Sequence, residues 1–310
     1  MFSAVIEMIL PIVITFLIGV MTRRRNLIDE SGCAVIKTIV SRIMLPVVLL
    51  NAFLFADYSL DTVVIIIVIF ASQLVIFGIG YLMKRVIPSR GKYLPFVFST
   101  LECGSLGYPL IAMLYAAKGT SDMAIIDVGH TVFLFLIAIP IMQATDGGDP
   151  DIRSILKNAL TSPTFDAMLI GIALGLLGVD TALAGSAAYG TYQAVISFLT
   201  APTGMLILIT LGYDMSLHRD LMGPVAFTSI ARLAVSAAVC ALSSLVIFRF
   251  MPFDKGTLTA LMLAFSLPAS YAIPMFAKFE GHKDYVSTTI SFSTLLTLLA
   301  FVGLAVYASA

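Results

Sequence analysis

The chain of 310 residues is 59% hydrophobic and 12% charged, with a mean hydropathy of +1.03 and a formal net charge of +0. That composition excludes a water-soluble domain and predicts an all-α integral membrane protein. Three cysteines, Cys33, Cys103 and Cys240, lie too far apart in sequence for a disulfide framework or a metal-ligand pair.

A bilayer span needs about 20 apolar residues, and ten segments reach that length. The first, 3–22, is followed by its basic cluster Arg23, Arg24 and Arg25, so it reads as an uncleaved span and not a signal peptide. The second, 33–56, contains Pro46 and then Asn51; Arg42 lies within snorkelling reach of the interface and is set aside. Gln73 in the third, 60–83, reads like Glu7 in the first as a packing or cavity-lining group. The fourth, 93–117, holds "SLGYPLIAM", where Gly107 and Pro109 interrupt an apolar helix. In hydrocarbon, unwound backbone survives only against protein or a water-filled cavity. The fifth is 121–142, with Asp127 read as interfacial or as a partner for Lys118. In the loop 145–164, "DGGDPD" lacks a full calcium ligand set and reads as a solvated turn. The remaining spans are 165–185, 187–212, 222–249, 256–280 and 285–308.

Counted with the residues at the adjoining span ends, loops after odd-numbered spans hold 13 Lys and Arg residues and loops after even-numbered spans hold 3, which predicts both termini outside and the 145–164 loop in the cytoplasm. The halves echo each other. Ser41 precedes Pro46 by five residues as Ser197 precedes Pro202, and Pro109 in "LGYPL" corresponds to Pro274 in "YAIPM". The predicted architecture is two inverted five-helix repeats, 1–144 and 165–310, with spans 4 and 9 broken and crossing near the midplane, as in a secondary transporter. Pro109 and Pro274 each suit a first helical turn, so both segments would aim N–H groups and a positive dipole end at the bilayer centre, a place for a carboxylate. Glu102, His130 and Arg232 lie about 14–15 Å into their spans, and intramembrane charges are functional candidates.

The run "ILPIVITFLIGVMTRRRNLIDESG", then "LPVVLLNAF", "SLGYPLI", "ITLGYDMSL" and "SLPASYAIPMFAKFEGHKDYVSTTI", resembles the auxin efflux carrier family in order and over nearly the whole chain. That family includes plant auxin carriers and bacterial organic-acid permeases. The resemblance implies an elevator-type carrier of a small organic-acid anion in the bacterial inner membrane. Spans 1, 2, 6 and 7 would form a scaffold that makes a homodimer, and spans 3–5 and 8–10 the moving domain. The family frequently has a basic residue at the position of Arg232, an asparagine where Glu102 stands, and a glutamine or asparagine where His130 stands. Scaffold residues near Asn51 approach the substrate in the family, and Pro274 falls one residue later than the plant carriers' proline.

The candidate substrate site is therefore Asn51, Glu102, Ser105, Gly107, Tyr108, Pro109, His130, Arg232, Ser270, Tyr271 and Pro274, with Glu102 also the ion-coupling group. Arg232 would attract the anion. Glu102 would bind a proton when the anion takes Arg232 and release it when the anion leaves. Tyr108 and Tyr271 would accept a small aromatic as readily as a short dicarboxylate. No cofactor, metal or nucleic-acid partner is indicated, and with no His-Glu-x-x-His pattern or phosphate-cradling loop an enzyme is not predicted. The alternatives are an anion channel and a sodium symporter of the bile-acid type, to which "SLPASYAIP" offers Ser270 but no carboxylate.

Overall fold

The computed structural model describes residues 2–56, 59–86, 88–147, 163–215, 218–271, 273 and 281–309. Pro274 and most of the 145–164 loop lie outside the described residues. Among those described the chain is helical, without a strand, and six helices are long and apolar enough to cross a bilayer. They are Glu30–Leu54, Leu60–Met83, Lys118–Thr145, Tyr189–Asp214, Arg219–Phe250 and Lys283–Ser309. A seventh arises if Gly91–Ser99 and Cys103–Tyr115, bent by 43°, count as one interrupted span. Large apolar side chains such as Leu60, Leu177, Phe198 and Leu245 face outward, as they do where the solvent is lipid.

Elsewhere the helices depart from the predicted boundaries. Phe2–Arg24 is one helix, but 165–185 is two, Pro163–Leu176 and Val179–Ala184. They part at Gly178, whose φ of 71° is left-handed and suits a residue without Cβ. Between the expected fourth and fifth spans the helical backbone is unbroken over Tyr108–Phe133. Yet a Cβ on Gly107 would lie 3.4 Å from Met123 Sδ, whereas a straight helix would hold these residues about 24 Å apart. The chain therefore doubles back near Lys118 with its helical turns intact. A Cβ on Gly119 would come within 2.8 Å of the Ile111 side chain, so the inside of the bend has room only for glycine.

Helices pack in two groups. In the first, Phe2–Arg24 crosses Thr203–Asp214 with Gly19 against Gly212, and a Cβ on either would strike the other helix's backbone. Leu45–Leu54 crosses Pro163–Leu176 at Gly171, which lies against Leu50 and Phe53. In a bilayer, association relies on close packing, and small residues permit it. In the second group, Leu60–Met83, Leu94–Ser99, Tyr108–Phe133, Met222–Phe250, Lys255–Ser266 and Lys283–Ser309 enclose most of the core, including Phe96, Phe133, Phe265 and Phe301.

Three wide turns, with hydrogen bonds spanning five residues, each end two residues before a proline. These are Val40–Met44 before Pro46, Cys103–Gly107 before Pro109 and Leu134–Ala138 before Pro140. A proline ring collides with the carbonyl four residues back, and the extra residue in the preceding turn moves that carbonyl aside.

Candidate functional site

The fourth-span break does not fall at Pro109. Leu94–Ser99 ends as Thr100 becomes extended (φ −91°, ψ 150°), and winding resumes at Cys103. Pro109 sits in the first turn of Tyr108–Phe133. Lys255–Ser266 likewise stops at a serine, and the non-helical residues after it run beside the first break.

Backbone groups released by a break must find partners where there is no water. Here they do. The Leu101 amide donates to His130 Nε2 (3.0 Å), and the Glu102 amide donates to the Pro268 carbonyl (3.0 Å). Arg232 donates from Nε to the Val97 carbonyl (2.8 Å) and from Nη2 to the Thr100 carbonyl (2.9 Å). The Ser270 amide donates to Thr100 Oγ1 (3.1 Å), and the Thr297 hydroxyl to the Ser266 carbonyl.

Glu102 binds the two breaks together. Its Oε1 accepts from the Ser105 amide (3.1 Å) and hydroxyl (2.6 Å), and its Oε2 from the Tyr271 amide (2.6 Å) and the Ser270 hydroxyl (3.3 Å). Arg232 is fully buried, and its cation faces the negative end of the Leu94–Ser99 helix. Among the described residues no ion pair joins it to Glu102.

His130 accepts on Nε2, so in the neutral ring the proton is on Nδ1, which faces Asp127 Oδ1 at 3.4 Å. Asp127 is buried and also accepts from the Tyr108 hydroxyl (3.2 Å). Lys118, its expected partner, pairs with Asp254 instead. Ligand atoms of Cys103, Asp127 and His130 lie within 4.8 Å of one another. Their fit to a metal is poor, because a ring that accepts at Nε2 needs Nδ1 for its proton.

The candidate residues divide by position. Asn51, Ser105, Tyr108 and Pro109 border a cavity of about 470 Å³ that Thr200 and Thr203 also line, and no charged side chain borders it among the described residues. Asn51 Oδ1 accepts from the Tyr192 hydroxyl at 3.0 Å. A separate pocket of about 30 Å³ touches Tyr271, Thr294 and Asp214. Glu102, Ser270 and Tyr271 meet where the residues after Ser99 run beside those after Ser266, while His130 and Arg232 brace the backbone of residues 97–101. Gly107 fits closely there, since a Cβ on it would stand 3.0 Å from the Leu267 side chain. Sequence reasoning overlooked Thr100 and the contact of Asp127 with His130, although an acid three residues before His130 shares its helix face.

Residues 4–305 match the family model described as membrane transport protein. The chain is also similar to a protein of Methanothermobacter thermautotrophicus described as an uncharacterized transporter, 24% identical over 302 residues that cover 95% of each chain. A chain that is helical among its described residues, with several helices long and apolar enough to cross a membrane and a family match over nearly its full length, thus belongs to the membrane transport protein family of auxin efflux carriers.

Proposed function

We propose that this transporter carries small organic-acid anions across the cytoplasmic membrane by an elevator-type movement, with the crossing of its two interrupted segments as the substrate site. The observation that carries the reading is the Glu102 crossing, with Ser105 opening from it onto an uncharged cavity of about 470 Å³. Such a cavity accommodates the body of a small acid, and the amides at the start of the Cys103–Gly107 turn suit its carboxylate.

In this reading ten spans form two inverted five-helix repeats. Spans 1, 2, 6 and 7 are the scaffold of a homodimer, and spans 3–5 and 8–10 move. Support comes from the crossings: span 1 packs on span 7 and span 2 on span 6, an exchange-symmetric pair, each at a glycine. Both interrupted segments also end in the same dipeptide, Phe98-Ser99 and Phe265-Ser266. With both termini outside, the larger cavity reaches toward Met113 and Thr120 at the outer ends of spans 4 and 5, an outward-facing state. Arg232 supplies positive charge behind the site, and Glu102 is the proton-coupling group.

The test is counterflow in proteoliposomes with malonate, malate, lactate, pyruvate and indole-3-acetate. A carrier gives saturable exchange of at least one of these, driven further by an imposed proton gradient. Conductance without exchange, or no flux of any acid, rejects the reading.

A further inference from the structure

Four donors converge on Glu102: the Ser105 amide and hydroxyl on one carboxylate oxygen, the Tyr271 amide and Ser270 hydroxyl on the other. They come from both interrupted segments, and two of them are backbone amides beside the unwound residues. This is the donor set that a bound carboxylate would need, already filled by a carboxylate of the chain itself. Arg232 forms no ion pair with Glu102 among the described residues, and its Nε and Nη2 are directed at the Val97 and Thr100 carbonyls.

We infer that Glu102 is a tethered stand-in for the substrate's carboxylate, and that an anionic substrate binds by displacing it from these four donors. The inference rests on the reading of the crossing as an anion site. A displaced Glu102 loses its hydrogen-bond donors in a place shielded from water, so it takes a proton from the surrounding solution as the anion settles. When the anion departs, the carboxylate returns to the donors and the proton is released. Anion and proton then share one stroke through competition for the same N–H and O–H groups, without a change in the bonds of Arg232.

The groups around Glu102 fit this scheme. His130 and Asp127 lie on Tyr108–Phe133, Cys103 is next in sequence, Arg232 comes from Met222–Phe250, and Tyr271 touches the small pocket that Asp214 borders. Leu60–Met83 has no charged residue between Thr62 and Gly80, nor Lys283–Ser309 between Val286 and Val306. The Leu101 amide takes up the Nε2 lone pair of His130. Among the described residues Glu102 is thus the carboxyl group that bonds to the residues after both Leu94–Ser99 and Lys255–Ser266.

The experiment uses purified full-length protein in detergent with the same five carboxylates, following binding by thermal shift and proton uptake with a pH indicator in weak buffer. The native protein should take up about one proton per carboxylate bound, and its affinity should rise as pH falls. Glu102→Gln and Glu102→Ala should bind the same acid about tenfold tighter at neutral pH, without proton uptake. If the native protein binds an acid with no proton uptake, or a folded Glu102 variant binds it no tighter, displacement is overturned while the anion site stands. The native measurement decides alone if neither variant folds. If no acid binds native protein or variants at any pH, the anion reading itself falls, and displacement with it.

Discussion

The amide of Tyr271 and the carboxylate of Glu102, 169 residues apart in the chain, are joined by a hydrogen bond of 2.6 Å. That bond and the one from the Ser270 hydroxyl join two segments that are otherwise linked there by the Glu102 amide on the Pro268 carbonyl and the Ser270 amide on Thr100. Glu102→Ala should therefore lower stability by about 2–3 kcal/mol, read as a fall in melting temperature. A transported acid should restore more of that loss in the variant than it adds to the native protein. A variant as stable as the native protein would show that the carboxylate does not hold the segments.

Arg232 donates to two carbonyls at the end of Leu94–Ser99. Arg232→Gln leaves at least one of them unpaired and removes the charge opposite a helix C-terminus, so a loss of about 3 kcal/mol is expected. Arg232→Lys keeps the charge but cannot reproduce the fork, and should fall between the two in both melting temperature and initial exchange rate. Full stability and full exchange in the Gln variant would remove Arg232 from the site and from its support.

For His130 the discriminating pair is Gln and Leu. Gln can still accept from the Leu101 amide, whereas Leu leaves that buried N–H unpaired at a cost of about 1–3 kcal/mol. The expected order of melting temperatures is native, Gln, Leu. Equal values for Gln and Leu would mean that the imidazole only fills space.

Asp254 caps Lys255–Ser266 through the Thr257 amide (2.8 Å) and pairs with Lys118. Burial alone would raise its carboxyl, but the Lys118 ammonium and the bonds from Thr257 outweigh that and hold it below its ordinary value. A depressed carboxyl stabilises the fold above its unfolded value and loses that contribution as pH falls through the folded one. Melting temperature should drop on the acid side of the carboxylate range in the native protein, and less steeply in Asp254→Asn. The pair is partly exposed and the difference should stay under about 1 kcal/mol. Parallel acid limbs for the two proteins would contradict this.

Topology gives a fifth test. With 13 basic residues in one set of loops against 3 in the other, a cysteine placed at Asp149 should react with a membrane-impermeant maleimide only after the cells are opened, and one at Ser186 before. The reverse labelling would invert the assignment of sides.

That Glu102, His130 and Arg232 gather about one place was legible in the sequence, because helical rise sets them at similar distances along their segments. Their partners were not. A charge in a membrane span suggests another charge as its complement, whereas here His130 and Arg232 answer backbone groups released at Thr100 and Leu101. Those residues carry no glycine or proline to mark the break, and the Phe98-Ser99 and Phe265-Ser266 endings gain meaning only once both segments are seen to stop there. The proline at 109 pointed to the right span and the wrong turn. Helix boundaries blurred where the chain bends without unwinding, as over Lys118, since hydrogen bonding there continues through the reversal.

The wide turns before Pro46 and Pro140 change the phase of the helix beyond them. One extra residue in a turn rotates every later side chain by about 100° about the helix axis relative to an uninterrupted helix. Asn51 thus owes its azimuth to an insertion upstream. Deleting a single residue, such as Ile43, would let the first wide turn close to ordinary winding and swing Asn51 off the Tyr192 hydroxyl, although no residue touching the cavity at that point had been exchanged. In such helices, chain length before a proline is as much a determinant of what faces the substrate path as the identity of the side chains on it.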